Sequence, residues 1–385
     1  MSESSSKSSA SSSSMYYVGL DVHQKRSSIC ILDRDGKQVK RLEVKGAWAK
    51  VVDAVAQVPG PFSICYEASC GYGYLYEKLS PLPLARHVAV AHPGQLRLIY
   101  KSKKKNDRVD AAKLAKLLYL DLVPQVHVPR ADVRAWRALI TYRHKLMSKR
   151  VAVKNQIRAL LRGLGIVALA GKRMWSGKGL KWLKEQSLSE ADALRRDMSL
   201  EELQELNAKI RRVEKELDRR ADAHPGVALL RTIPGVGVRT AEAVVAHLDD
   251  VSRFSKNKKV GSYFGLVPCQ DQSAGKDRLG HITRDGPPAV RKLLCEAAWQ
   301  GIRRSPALKE FFERVTRGEA DRRKIALVAT AHHLARVMAA MLRTGETWRE
   351  HPTGEHRDGS RDKESEGRAA PGGCLASPPR KTAVA

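Results

Sequence analysis

Acidic charge is what this chain is short of. Against 70 Lys and Arg it carries only 41 Asp and Glu, a formal net charge of +29. An imbalance of that size asks for a polyanionic partner, either a phosphate polymer or an acidic membrane surface. Long apolar runs are also lacking: no stretch approaches the roughly 18 residues of a membrane span. That turns the reading away from a membrane and toward nucleic acid. Cysteine is sparse and unpatterned. Cys30, Cys65, Cys70, Cys269, Cys295 and Cys374 form no C-x-x-C pair and no Cys/His cluster of zinc spacing. Reduced thiols in a cytoplasmic protein are expected, and structural zinc is not. No apolar segment follows Met1; the first residues are serine-rich and read as a disordered tail over 1–15, with Met15 an alternative start.

What is present begins with β-formers. Tyr16–Val22, Ser27–Leu32 and Gln38–Val44 predict three strands, with Asp33-Arg34-Asp35-Gly36 as a hairpin turn between the last two. A helix over about 47–57, a strand Phe62–Glu67, a helix opened by Gly71-Tyr72-Gly73 and a strand Arg86–Ala91 follow. Asp21 puts a carboxylate among apolar strand residues, where burial is costly without a partner or a metal. Glu67 ends a buried-looking strand.

A cationic block, Lys101-Ser102-Lys103-Lys104-Lys105, then runs into Asn106-Asp107-Arg108-Val109-Asp110 at the start of an alanine- and leucine-rich helix. Residues at i and i+3 share a helix face, so Asp107 and Asp110 can address one point. An acidic first turn capped by Asp107 is the plainer alternative. The order of elements, with acids on the first strand, at the end of the fourth and paired on a later helix, resembles the RNase H-like fold of the RuvC type. Asp21, Glu67, Asp107 and Asp110 match its D-E-D-D tetrad. Two metal ions about 3.5–4 Å apart need several hard carboxylate ligands, which accounts for such a set.

Beyond Pro124 and Pro129 the pattern is helical. Val133–Leu164 reads as a long basic helix, residues 163–179 as a loop, and Leu200–Ala223 as a second helix with a Leu203, Leu206, Ile210, Val213, Leu217 stripe. The two suit an antiparallel hairpin or an intersubunit coiled coil. Leu229–Ala241 carries Ile233-Pro234-Gly235-Val236-Gly237 and resembles a helix-hairpin-helix element, in which Gly235 and Gly237 would let backbone N–H groups hold a DNA phosphate. Then come Gly265-Leu266-Val267-Pro268, Ser273-Ala274-Gly275 and Gly280-His281-Ile282-Thr283-Arg284-Asp285-Gly286. A closing amphipathic helix, Arg322–Leu342, precedes a polar tail over 350–385.

As a set, these motifs resemble the bridge-RNA-guided DEDD insertion-sequence transposases, the one-ten family with its eleven-eleven subgroup. The resemblance spans about residues 16–344. It implies a RuvC-like DEDD catalytic domain over 16–130, a helical linker or coiled coil over 131–225, and a mostly α-helical transposase domain over 226–349. It further implies a DNA transposase that cuts and rejoins donor and target DNA through a covalent phosphoserine, placing that serine at Ser273. Ser262 is the competing serine, to which its aromatic surroundings give a packing role. Mg2+ would be held by Asp21, Glu67, Asp107 and Asp110, and the two distant halves would form one active site. Lys101, Lys103, Lys104, Lys105, Arg108, Lys276, Arg278, Arg284, Arg291 and Lys292 read as phosphate contacts. A noncoding bridge RNA, a dimer of dimers and action at the bacterial nucleoid are likewise implied. A RuvC-type hydrolytic junction nuclease, using water and forming no protein–DNA bond, is the alternative.

Overall fold

The computed structural model describes residues 15–69, 71–99, 107–273 and 276–350, with the side chains of 107, 108 and 271–279 outside that description. Lys101, Lys103, Lys104 and Lys105 lie outside the described residues, as do most of both expected tails.

The first half is built on β1 (Tyr16–Asp21), β2 (Arg26–Leu32), β3 (Gln38–Lys45), α1 (Trp48–Ala56), β4 (Phe62–Glu67), α2 (Tyr72–Leu79), β5 (Ala85–Ala91), α3 (Pro93–Ile99) and α4 (Asp107–Tyr119). The five strands form one mixed sheet in the order β3-β2-β1-β4-β5. β1, β4 and β5 are parallel, and β2 runs antiparallel to both β1 and β3. Successive strand residues point to opposite faces. Val18, Leu20, Ile64 and Tyr66 therefore pack with Val51 and Val55 of α1 and Leu75 and Leu79 of α2. The other face carries Cys30, Cys65, Ala89 and Ala91 against Ala111, Leu114, Ala115 and Leu118 of α4. Burial pushes the Cys65 thiol up to about 12, so it packs as a small apolar group.

α5 (Ala131–Gly163), α6 (Gly177–Lys184) and α7 (Glu190–Asp222) follow. α5 and α7 form an antiparallel hairpin within the chain: Arg143 meets Glu214, Arg150 meets Asn207, and the Trp136 ring lies 5.6 Å from that of His224. Leu146, Val153, Ile157 and Leu161 bury against Leu200, Leu203, Leu206 and Ile210, the helical stripe read from the sequence. Two boundaries differ from expectation. α7 begins ten residues before Leu200, because Ser189 accepts from the Asp192 N–H at 3.2 Å and caps it. The expected loop contains α6, capped by Ser176 accepting from the Gly179 N–H at 3.2 Å.

The remainder comprises α8 (Pro225–Leu230), α9 (Val238–Leu248), α10 (Lys258–Tyr263), β6 (Pro268–Ser273), β7 (Lys276–Ile282), α11 (Pro288–Gly301), α12 (Pro306–Thr316) and α13 (Arg323–Thr344). The chain divides into two compact units. One runs to His224 and includes Glu242–Val251; the other holds Pro225–Ala241 and the chain from Ser252 onward. In the second unit α13 is the central element, with Ala326, Thr330, Ala331, Leu334, Ala335 and Met338 fully buried. The stretch Ala320–Thr344 is long and apolar enough to cross a membrane, which corrects the expectation that none is. Its apolar side chains include much of this unit's core. Glu350, expected to open the tail, instead accepts from the Ala307 N–H at 3.3 Å at the start of α12.

Candidate active site

Asp21 and Glu67 come to one end and one face of the sheet for reasons visible in the backbone. Leu20 pairs with Tyr66 in parallel register, so Asp21 and Glu67 are the next residues on neighbouring strands, about 4.8 Å apart. Alternation places both on the face that α4 covers, since Tyr17 and Cys65 of the same set pack against that helix. α4 crosses this face antiparallel to β1: Tyr119 meets Tyr17 edge-on at 5.4 Å, and Ala111 and Ala115 sit over Gly19. Its first turn, with Asp107 and Asp110, is thereby directed to the Asp21 end. The carboxyl ends of parallel strands are where open α/β sheets present their chemistry.

Two of these carboxylates have close side-chain neighbours that the sequence reading missed. Lys113 donates to Asp110 Oδ1 at 2.9 Å, one helical turn along. His23 Nε2 lies 3.4 Å from Asp21 Oδ1, and the Asp21 side chain is only 17% exposed. The i+3 spacing of Asp110 and Lys113 was the available signal for the first; nothing local distinguished His23. Among the described residues no three of His, Cys, Asp and Glu close into a ligand set. The Asp107 side chain falls outside those residues. The donor chemistry itself fits a hard divalent cation, since every candidate ligand is a carboxylate on a rigid element and none is a thiolate.

Ser273 ends β6 and pairs with Lys276 at the start of antiparallel β7. Two residues separate the partners, the spacing of the tightest hairpins. The side chains of Ser273, Lys276 and Arg278 lie outside the described residues, as does that of Arg108. Ser262 is exposed on α10, so the packing role expected of it is not found. Arg284 has a left-handed backbone, φ 61°, and is exposed, while Lys292 lies 3.9 Å from Glu296. Arg291, expected to meet phosphate, donates instead to the carbonyls of Phe264, Asp285 and Gly286. In the glycine turn, Gly235 (φ 90°) packs so closely on Gly301 that a side chain would lie 2.4 Å from its backbone nitrogen. Gly237 faces open space at the start of α9.

A sheet bearing acids at its carboxyl end, followed by helices and a glycine turn, defines a class once it is set beside known proteins. Residues 18–166 match the DEDD transposase model of the IS110 type, and residues 227–313 match the model described as Transposase IS116/IS110/IS902 family. A Pseudomonas aeruginosa protein named "Probable family 20 transposase" is 27% identical over 84% of this chain and 96% of its own. The transposase for insertion sequence element IS1111A of Coxiella burnetii is 27% identical over 86% of this chain and 91% of its own. The chain is thus of the DEDD transposase class. It belongs to the IS116/IS110/IS902 transposase family.

Proposed function

We propose that this transposase cuts and rejoins donor and target DNA by a covalent phosphoserine at Ser273, with Mg2+ held by Asp21, Glu67, Asp107 and Asp110. The observation that supports the metal-site reading is the register of β1 with β4, which makes Asp21 and Glu67 neighbours, combined with the antiparallel docking of α4, whose first turn carries Asp107 and Asp110. The strand order, with β2 antiparallel and β4 and β5 parallel to β1, supports an RNase H-like, RuvC-type domain. The α8–turn–α9 segment supports a helix-hairpin-helix contact to phosphate.

In the first transfer the Ser273 Oγ–P bond forms as the P–O bond to the leaving deoxyribose oxygen breaks. The hydroxyl proton ends on that oxygen. Rejoining reverses these bonds with the hydroxyl of another strand, so no high-energy cofactor is consumed. A bound divalent ion would supply charge neutralisation and activation at the reacting oxygens. Asp21 and Asp110 would supply negative charge for it, with His23 and Lys113 lying against those two carboxylates. The net charge of +29 supports a large nucleic-acid load, consistent with a noncoding bridge RNA choosing both sites. Assembly as a dimer of dimers acting at the nucleoid completes the reading.

The test is a denaturing gel of labelled donor and target DNA incubated with the protein, Mg2+ and RNA transcribed from the element's flank. Wild type and Ser262→Ala are expected to give a protein–DNA adduct, and Ser273→Ala none. Free 5′-phosphate ends without any adduct from wild type would instead establish the water-using nuclease.

A further inference from the structure

From Arg143 to Lys184 the sequence holds twelve Lys and Arg and no Asp or Glu. Its partner helix α7 holds eight Lys and Arg and ten Asp and Glu. The hairpin is therefore electrically two-sided. On α7 the cations are largely neutralised locally, as by Lys209 with Glu205 at 2.9 Å and Arg219 with Glu216 at 2.8 Å.

On α5 they are not. Arg150, Lys154, Arg158 and Arg162 recur every four residues, a row with about 6 Å between successive steps. Like charges at this spacing repel and destabilise a bare helix. Among the described residues Lys154, Arg158 and Arg162 have no carboxylate partner; Arg158 reaches only Asn155 Oδ1, at 3.2 Å. Lys154 Nζ and the Arg158 guanidinium both lie over the Trp175 ring, at 4.7 and 5.1 Å. The Trp175 indole N–H and Arg150 Nε are buried with no acceptor among the described residues. The neighbourhood thus has donors in surplus and lacks an anion. Burial, then the charges of Arg150 and Arg158, pull the Lys154 ammonium below the usual lysine range, as expected of a cation held among cations.

We infer that the face of α5 carrying Lys154, Arg158 and Arg162, continued by exposed Lys172, Arg173 and Lys178, binds the phosphodiester backbone of duplex DNA. The row lies along one unbroken helix of 33 residues. Its neighbouring rings are not open to unstacked bases: Trp175 is half-buried beneath cations, Trp182 is half-buried too, and the exposed ring of α5, Tyr142, lies about three helical turns before Lys154. Single-stranded partners are held by such rings, whereas a backbone read through evenly spaced cations belongs to a duplex. The surface lies outside the acid cluster and would position DNA rather than cut it. This inference rests on the reading of the chain as a DNA-acting transposase.

The experiment is fluorescence anisotropy of the full chain with a short labelled DNA duplex, titrated between about 50 and 200 mM salt. Lys154→Gln/Arg158→Gln/Arg162→Gln is expected to weaken binding about tenfold or more at the lowest salt. It should also flatten the slope of log affinity against log salt by about 2 to 3. Lys209→Gln/Arg211→Gln/Lys215→Gln on α7 removes the same charge and is expected to leave both unchanged; thermal melts check the fold of each. Equal loss in the two triple variants would reduce the effect to net charge and overturn the inference. So would an unchanged slope in the α5 variant, or a loss confined to single-stranded RNA. Failure of wild type to bind any DNA would instead overturn the function on which the inference rests.

Discussion

Gly19 and Ala111 lie so close that a methyl group on Gly19 would sit 2.1 Å from the Ala111 carbonyl oxygen and 2.4 Å from the Ala115 nitrogen. Both obstacles are backbone, so neither can swing aside. Gly19→Ala must push α4 off β1, and with it the turn bearing Asp107 and Asp110. Overpacking of this kind costs about 1–3 kcal/mol, and the upper end is expected here. Urea denaturation should show the loss of stability, and DNA cleavage should fall further than the unfolded fraction explains. Cleavage that merely tracks the folded population would mean that α4 does not position the acids.

Lys113 and the proposed metal compete for Asp110. With Lys113 Nζ 2.9 Å from Asp110 Oδ1, the ammonium must yield part of that contact when a divalent ion binds. Lys113→Met removes the competitor and keeps the length of the side chain. The half-saturating Mg2+ concentration for strand cleavage is expected to fall several-fold, with no comparable change in duplex affinity. A rise would show that Lys113 instead organises the site for the ion.

Much of this arrangement was legible in the residues, and the parts that were not have physical causes. The five strands announce themselves through β-formers bounded by turns, and Asp21 stands out as a charge in an apolar strand. α7 was read ten residues short because its apolar stripe starts at Leu200, while its first turns are held by the Ser189 cap. α6 was missed because eight residues with three lysines and two glycines carry little periodicity; Leu183, buried against α5 and α7, holds it. The pairing of β6 with β7 was not legible because both segments are polar and carry few β-formers. The backbone contacts of Arg291 were not legible either: a cation in a basic segment looks the same in sequence whether it faces phosphate or its own backbone.

His247 gives the first compact unit a sensitivity to acid. It is buried on α9, and its Nδ1 lies 2.8 Å from the Ala243 carbonyl. Burial above all, with Arg137 nearby, holds its pKa down at about 4, against an ordinary value of 6.5. Above pH 6.5 neither the folded nor the unfolded chain protonates this ring, and stability is independent of it. As pH falls from 6.5 toward 4 the unfolded chain takes up a proton that the folded chain refuses, so stability drops, by up to about 3 kcal/mol. Urea midpoints measured across that window should decline in wild type and decline less in His247→Gln. Parallel curves would assign the acid sensitivity to other groups.

Arg291 separates a structural cation from a phosphate-binding one. Gly265 (φ 65°) and Gly286 (φ 70°) bring two turns together so closely that a side chain on either would meet the other's backbone at 2.2–2.3 Å. Arg291 stitches them, with Nη1 within 3.3 Å of the Phe264 oxygen and 3.1 Å of the Gly286 oxygen. These turns flank the β6–β7 hairpin that carries Ser273. Arg291→Ala strips a shared donor from several carbonyls and is expected to cost about 2–3 kcal/mol. It should also open residues 268–282 to protease. Arg291→Lys should restore little, because an ammonium cannot reproduce the planar fork of a guanidinium. A phosphate contact behaves differently: Arg291→Ala would flatten the salt dependence of DNA affinity by about one unit and leave the urea midpoint in place. Measuring both quantities on the same two variants decides between these roles, and the bonds to Phe264, Asp285 and Gly286 predict the loss of stability with an unchanged salt slope.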